Sequence, residues 1–226
     1  MIKREHSSVF TFLLLLLFTY ASGCSLFQKT TPSITEIQLS RVPPEDREEI
    51  IRALDQLAKI RLELEKTKRE FEKTKNEIEI AESELGIAEN MYKKAKAEFE
   101  LAKQSGVSGE IVEKGKRLME SEKKVTIAKK KVEVTELKRD YLKKKIEALE
   151  KKVAWGEAVV ELAKAKVALK YDTKLDEADK KIKLKEFEIE VAERELKWKE
   201  AEKEALLAYK KYLDAQNEYN GLLENK

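Results

Sequence analysis

Histidine and cysteine are almost absent from the sequence, which contains one of each, His6 and Cys24, among 226 residues. Imidazole is the commonest general base and metal ligand of proteins, and the thiolate is a potent nucleophile. A single cysteine also excludes a disulfide within one chain. We therefore expect no enzyme, because the sequence offers no catalytic residue, no metal ligand and no residue that binds a cofactor.

Proline and glycine are also scarce, at three and seven residues. Pro32, Pro43 and Pro44 all precede residue 45, so the rest of the chain contains no strong helix breaker other than glycine. Charged residues make up 40% of the chain and hydrophobic residues 42%, a composition typical of long helices and coiled coils. The apolar residues must therefore lie in stripes along helices.

Neither sign of charge dominates. The chain has 47 basic and 44 acidic residues, a net charge of +3, and the signs alternate along it. Such alternation is typical of a solvated helix surface, whereas a nucleic-acid site usually needs a stripe of basic residues. We expect no nucleic-acid partner, and we assign the many carboxylate pairs to that surface rather than to a glycosidase cleft.

The N-terminal segment has the organisation of a secretory signal. Lys3 and Arg4 form a positive region, and residues 9–20 form an apolar run that is too short to span a bilayer comfortably. The sequence Ala21-Ser22-Gly23-Cys24 follows and resembles the lipobox of bacterial lipoproteins. Residues 1–23 are therefore predicted to be a lipoprotein signal peptide.

The resemblance implies a role for each lipobox residue. Ser22 and Gly23 match the family pattern, and Ala21 stands where leucine is commonest; the three form the signal peptidase recognition sequence. Cys24 would carry a diacylglycerol on its sulfur and often a further acyl chain, such as palmitate, on its amino group, which anchors a protein stably in a membrane. Ser25, a non-aspartate, implies export to the outer membrane. The alternatives are an ordinary signal peptide with a chance cysteine, or an uncleaved anchor.

The segment 24–44 is predicted to be the acylated cysteine followed by a flexible tether, because it holds all the prolines. A first helix is expected over about 45–104, and its acidic first turn complements the helix dipole. Gly106 can adopt the left-handed conformation that ends a helix, and Ser108 can cap the next helix with Glu110 in its first turn. This pattern predicts an antiparallel helical hairpin.

Two rows spaced by seven residues run along the first helix. One contains Ile50, Leu57, Leu64, Phe71, Ile78, Leu85, Tyr92 and Phe99, and the other contains Ala53, Ile60, Thr67, Thr74, Ala81, Ala88, Ala95 and Ala102. A strict heptad predicts a left-handed coiled coil, with large side chains of one helix covering small ones of its neighbour.

The second helix, expected over about 108–170, has two such rows. They are Ile111, Leu118, Val125, Val132, Arg139, Ile146, Val153, Val160 and Val167, and Ile127, Val134, Tyr141, Ala148, Trp155, Leu162 and Leu169. Two rows widen the apolar face, so we expect this helix to contact two neighbours. Arg139 either sets the register from a buried position or, as we favour, extends its guanidinium outward. Gly115 and Gly156 indicate close contacts or a bend.

The register fails near Tyr171, and a new pattern predicts a third helix over about 174–221. Its rows contain Leu184, Val191, Trp198, Ala205, Tyr212 and Tyr219, flanked by Phe187, Ala201, Ala208, Ala215 and Leu222. Asp172 or Thr173 can cap this helix, and Asp176 follows Thr173 as in a capping box. We favour a turn here over a continuous helix with a phase shift.

The last helix is rich in aromatic residues. Trp198, Tyr212 and Tyr219 share one row, which favours packing in the seam over a docking surface for a partner helix or peptidoglycan. Residues 206–220 are similar to the helical repeats of outer-membrane efflux (TolC-type) proteins, through Ala215, Tyr219 and Asn220. That resemblance implies at most an accessory role, because the chain lacks the alternating strands of a membrane barrel.

Together these patterns predict an all-α fold, a long antiparallel coiled-coil bundle of two to three helices forming an elongated rod over residues 45–222. The expected function is that of a membrane-anchored envelope lipoprotein, a non-enzymatic spacer, scaffold or adaptor. The expected partners are membrane lipid through acylated Cys24, a protein bound through the coiled-coil faces, and a homo-oligomer as a further option. The outer membrane, facing the periplasm, is the expected location. The alternatives are an accessory component of an efflux or secretion assembly, or a surface-exposed binding lipoprotein.

Overall fold

The computed structural model describes residues 34, 39–40 and 42–224. A 3-10 turn, Pro44–Arg47, leads into helix α1, Glu48–Ser105, which is followed by α2, Ser108–Lys170, and α3, Glu177–Glu224. No strand occurs in this part of the chain. The middle helix α2 packs against both α1 and α3. The all-α fold with three packed helices is therefore confirmed.

Contacts between the helices show that consecutive helices are antiparallel. Near the Gly106 turn, Lys114 Nζ lies 3.0 Å from Glu98 Oε2, and at the far end of the same pair Lys166 Nζ lies 3.1 Å from Glu49 Oε1. Helix α3 runs back along α2 in the same manner, since Lys130 pairs with Glu218 and Lys144 with Glu204.

The predicted rows of α1 form its contact with α2. Ala81 and Thr74 are fully buried, and Phe71 and Phe99 are half-buried. The Thr74 hydroxyl donates a hydrogen bond to the Glu70 carbonyl of its own helix at 2.9 Å, so this polar group is satisfied inside the seam. The buried positions of α1 are Ile50, Ala53, Leu57, Ile60, Leu64, Thr67, Thr74, Ile78, Ala81, Ala88 and Ala102.

Helix α2 has a third row, between the two predicted ones, that the sequence analysis did not identify. It consists of Ser121, Ala128, Thr135, Leu142, Leu149, Gly156 and Ala163, and all of these except half-buried Thr135 are buried. A Cβ placed on Gly115 would lie 3.3 Å from Phe99 Cε2, so a large residue of α1 covers this glycine. The side chain of Arg139 remains 39% exposed and pairs with Asp140 at 3.4 Å, so its guanidinium extends outward.

The turn between α1 and α2 forms at Gly106, as expected, but Ser108 does not cap α2 as predicted. Gly106 has φ 69°, the left-handed conformation that ends α1. Ser108 is the first residue of α2 and not its cap; the preceding Val107 is extended and makes no side-chain capping bond. Ser105 Oγ instead accepts a hydrogen bond from Val107 N at 3.4 Å. Glu110 lies in the first turn of α2, as expected.

The second turn is present, and its cap was also misassigned. Helix α2 ends at Lys170 and α3 begins at Glu177, three residues later than expected. Asp176 caps α3, because its Oδ1 accepts a hydrogen bond from Asp179 N at 2.8 Å. Asp172 Oδ1 accepts one from Lys174 N at 2.9 Å and so stabilises the turn rather than the helix.

Beyond the end of α3, helices α1 and α2 continue as a pair. The row of α2 that faces α3 is apolar from Leu169 to Ile127 and then continues as Glu120. We call residues 91–105 and 108–124 the tip. The large seam residues Tyr92, Phe99 and Leu118 of the tip are half-buried, whereas its small seam residues Ala102 and Ser121 are buried.

The end of the segment that was expected to be a flexible tether packs against the helices. We use the name strap for its described residues, Ile34, Leu39, Ser40 and Val42. Val42 is 2% exposed and belongs to a cluster with Ile50, Ala53, Leu57, Val160, Ala163 and Val167 of α1 and α2, against which Leu39 also packs. Ile34 packs against a second cluster, formed by Ala165, Leu169 and Phe187 of α2 and α3. The strap therefore contacts both seams of α2.

Hydrogen bonds fix the strap. Arg47 Nη2 donates to the carbonyl oxygens of Val42 at 2.8 Å and Leu39 at 3.2 Å. At the other end, Ile34 N donates to Glu161 Oε2 at 3.0 Å. Bonds between a charged group and a backbone group are among the stronger hydrogen bonds in proteins, so the strap is held at both ends.

Candidate functional site

The predicted lipidation site lies outside the described residues. This applies to Cys24 and to its recognition sequence Ala21, Ser22 and Gly23. Within the described part of the chain, no helix is long and apolar enough to cross a membrane. The same part contains no group of histidine, cysteine and carboxylate side chains that could hold a metal ion.

A row of basic residues, which the sequence analysis did not single out, runs along one edge of α2. We call Arg117, Lys124, Lys131, Lys138, Lys145, Lys152 and Lys166 the basic row; they share a spacing of seven, with Val159 at the remaining position. Helix α1 presents the acidic row, Glu49, Glu63, Glu70, Glu77, Glu84 and Glu98, also spaced by multiples of seven. The chain therefore contains a stripe of basic residues, although its charges alternate in sign along the sequence. Glutamates of the facing helix α1 pair with most of this stripe.

Ion pairs join the two rows along most of their length. Lys138 Nζ lies 3.0 Å from Glu77 Oε2, and Lys145 Nζ lies 3.4 Å from Glu63 Oε1. On the opposite edge of the same seam the signs are exchanged, as in the pair of Arg61 with Glu157 at 2.8 Å. Charges that flank an apolar seam select partner and orientation in coiled coils. The two edges together therefore specify how α1 lies on α2.

Five aromatic side chains join α2 to α3. The rings of Trp155 and Trp198 lie 5.0 Å apart, and Tyr141 lies 4.9 Å from Tyr209 and 6.4 Å from Tyr212, with which it is nearly parallel. Trp198 and Tyr212 are therefore seam residues, as predicted. Tyr209 is 38% exposed, so part of this aromatic cluster faces solvent.

Burial affects two polar groups of the aromatic cluster. The Trp155 indole N–H is buried and has no acceptor within hydrogen-bonding distance. Burial also raises the pKa of the Tyr141 hydroxyl above its ordinary value. Both effects show that these two polar groups are partly withdrawn from water in the α2–α3 seam.

An open cleft of about 230 Å³ lies beside the aromatic cluster, where α2 and α3 meet the edge of α1. Its lining residues are Glu63, Tyr141, Lys145, Ala148, Leu149, Lys152, Trp198, Glu202, Ala205, Leu206 and Tyr209. The floor is apolar, and the Nζ of Lys152 stands 4.7 Å from the centre of the Trp198 ring. A cleft with an apolar floor and charged edges suits an amphipathic ligand or partner segment.

Ion pairs with shifted pKa values hold α3 on α2. Hydrogen bonds from Lys130 to Glu218 and Glu133 raise the pKa of the lysine above its ordinary value. The pair of Lys144 and Glu204, at 3.0 Å, raises the pKa of the lysine and lowers that of the carboxyl. Each of these three shifts favours the charged form of its own group.

The segment that is similar to efflux-protein repeats, residues 206–220, forms part of the C-terminal half of α3. Of the three matching residues, Ala215 is buried against α2 and Tyr219 is half-buried, so these two serve the seam. The third, Asn220, is exposed and accepts a hydrogen bond from Gln216 at 3.1 Å. Leu206 and Leu207 point outward and are exposed. The match therefore coincides with ordinary helix packing in this chain.

No protein-family model matches the chain, and no curated protein or solved structure matches it.

Proposed function

We propose that the chain is a lipoprotein of the bacterial envelope, anchored through acylated Cys24, whose helices act without catalysis as a spacer, scaffold or adaptor. The observation that carries this proposal is the sequence Ala21-Ser22-Gly23-Cys24 at the end of an apolar segment. A lone cysteine directly after Ser22 and Gly23 has a chemical role in a lipobox and none that we can assign in the helices.

The helices support the role of a spacer. Helices α1 and α2 contain 58 and 63 residues. At a rise of 1.5 Å per residue, each extends over about 90 Å. The ion pairs along both edges of the α1–α2 seam keep the two helices in register over this length. A protein built in this way can hold two contact points at a fixed separation.

Globomycin, which blocks lipoprotein signal peptidase, tests the anchor. Full-length protein expressed in a Gram-negative host should accumulate as a precursor longer by residues 1–23 when the inhibitor is present. Radiolabelled palmitate should label the wild type, and Cys24→Ala should abolish that label. Processing that is unaffected by globomycin, with no label on Cys24, would overturn the proposal.

Location follows from the same resemblance and has its own test. Membranes separated on a sucrose gradient should contain the wild type in the outer-membrane fraction, and Ser25→Asp should move it to the inner membrane. Digestion of intact cells with protease should leave the protein whole if it faces the periplasm. Degradation in intact cells would instead support a surface-exposed binding lipoprotein.

The tip favours a second candidate, an accessory component of an efflux or secretion assembly. Leu101, Val107 and Val112 are apolar and more than half exposed where only two helices remain. A photo-crosslinking residue at Val107 should then capture a transport protein that the same probe at the exposed Ile80 of α1 does not. If the probe at Val107 yields no transport partner in cells that retain the anchored protein, this candidate fails.

A further inference from the structure

The side of α3 that faces away from α2 carries a second apolar row. Ile182, Ile189 and Leu196 are spaced by seven residues and are 62%, 46% and 64% exposed. By helical periodicity they lie opposite Phe187 and Ala201, which are buried against α2. Helix α3 therefore has two seams, and the described part of the chain covers only one of them.

Small residues accompany this row in the arrangement found on α1. Ala178 and Ala192 lie four residues before Ile182 and Leu196, and both are exposed; Lys185 occupies the intervening place. We call these residues, Ala178, Ile182, Lys185, Ile189, Ala192 and Leu196, the outer seam. Large residues at one heptad position and small ones at the other allow a neighbouring helix to approach closely.

Acidic residues flank the outer seam on both sides. The flanking positions are Asp179, Glu186, Glu193 and Glu200 on one side, and Lys181, Glu188, Glu195 and Glu202 on the other. Lys185 pairs with Glu188 at 3.3 Å, and Lys199 pairs with Glu195 at 2.6 Å. This side of α3 therefore carries seven acidic residues and three lysines, so it is negatively charged.

The chain itself contains a matched example of such a face. On α1, the acidic row beside an apolar seam pairs with lysines of α2, as Glu77 does with Lys138. From this charge complementarity we propose that the outer seam of α3 binds an amphipathic helix of another protein, whose apolar heptad row is flanked by lysine or arginine. The proposal adds a class of partner to the scaffold role proposed above.

The outer seam of a second copy does not supply such a helix. Both of its flanks are acidic, for example at Glu186 and Glu188, so two outer seams would place carboxylates against carboxylates. Such an arrangement is unfavourable across a coiled-coil seam. The basic row of α2 is already matched by α1 over most of its length.

Three synthetic helical peptides of four heptads test the proposal. The basic peptide has isoleucine and alanine in its seam and lysine at the flanking positions. The acidic peptide has glutamate at those flanks, and the third keeps the lysines but has serine in place of isoleucine. Binding of each labelled peptide to the full chain in phosphatidylcholine nanodiscs is measured by fluorescence anisotropy, with empty nanodiscs as the blank.

We expect the basic peptide to bind at least tenfold more tightly than the other two, and raised salt to weaken it. Ile189→Ser should reduce its affinity at least tenfold, whereas the same change at Ile87, an exposed isoleucine of α1, should leave the affinity unchanged. Circular dichroism checks that both variants keep their helices.

Three results would overturn the proposal: equal binding of the acidic peptide, equal binding of the serine peptide, or no effect of Ile189→Ser. Sedimentation equilibrium adds a fourth, self-association that Ile189→Ser abolishes, which would make a second copy the occupant. Because the peptide assay measures helix docking and the globomycin assay measures anchoring, failure of one proposal is distinguishable from failure of the other.

Discussion

Gly156 of α2 lies so close to Leu57 of α1 that a Cβ added to the glycine would stand 3.1 Å from Leu57 Cδ1. The contact belongs to the cluster in which Leu57 packs with Val160 and Ala163. A larger side chain at this place forces the two helices apart. We expect Gly156→Val to lower the free energy of unfolding by about 1–3 kcal/mol, measured by urea denaturation.

A glycine without neighbours provides the control for that substitution. A Cβ on Gly86 of α1 would meet nothing within 4 Å. Alanine there should raise the free energy of unfolding by about 0.5–1 kcal/mol, because it gains helix propensity at no steric cost. If Gly156→Val is as stable as the wild type, the close α1–α2 contact at Leu57 does not exist in solution.

The ion pairs between the acidic and basic rows predict that reversing one charge of a pair lowers stability and that reversing both restores it. Lys131 and Glu84 pair with each other alone, so Lys131→Glu and Glu84→Lys should each place like charges together and lower the melting temperature. Each change should cost about 0.5–1 kcal/mol, and the double exchange should recover most of it. The recovery should shrink in 0.5 M salt, about five times the ionic strength at which the Debye length is 10 Å. If the double variant loses as much stability as the two single variants added together, Lys131 and Glu84 do not pair.

Acid should loosen the tip. The hydrogen bond and charge of Lys114 lower the pKa of the Glu98 carboxyl from its ordinary 4.5. A carboxyl with a lowered folded-state pKa stabilises the fold above pH 4.5, and that stabilisation is lost as the pH falls through the lowered value. Amide hydrogen exchange of tip residues, corrected for intrinsic rates, should show protection falling below pH 4.5. Glu98→Gln should flatten this dependence; an unchanged profile in the variant would refute the assignment.

Removing the contact of the strap should destabilise the helices. Val42 is buried among α1 and α2 residues, so Val42→Ala should lower the free energy of unfolding by about 1–3 kcal/mol. The matched change Val107→Ala, at an exposed position between α1 and α2, should leave the free energy of unfolding almost unchanged. Thermal unfolding followed by circular dichroism compares the two, and equal melting temperatures would show that the strap is not docked.

The helices were predictable because their heptad rows are long and regular. Ile50 to Phe99 repeats without a miss, and the second row of α2 indicated that this helix contacts two neighbours. Gly106 marked the first turn because only glycine adopts its backbone conformation at low cost. The helix caps were less predictable. Asp172, Thr173 and Asp176 can each cap a helix, and which of them caps α3 depends on where α3 packs.

The basic row and the strap could not be read from the sequence, for two physical reasons. Lysines spaced by seven are hidden among alternating charges until the facing glutamates identify the edge of α2 to which they belong. The prolines around residues 32–44 favour a tether, and only the tertiary contact of Val42 with Ile50 and Val167 reveals that the chain docks there. Tertiary burial overrides local composition in this segment.

The strap also determines how a pull on the chain would be transmitted. Tension applied ahead of Ile34 meets the bond to Glu161 of α2 first and then the carbonyl bonds of Arg47, before it reaches the start of α1. Ile34 also packs on the α2–α3 cluster and Val42 on the α1–α2 cluster, so the force enters the bundle through its middle helix rather than peeling α1 from its end. For a protein held at one cysteine, the strap would be a mechanical coupling that protects the bundle from unzipping.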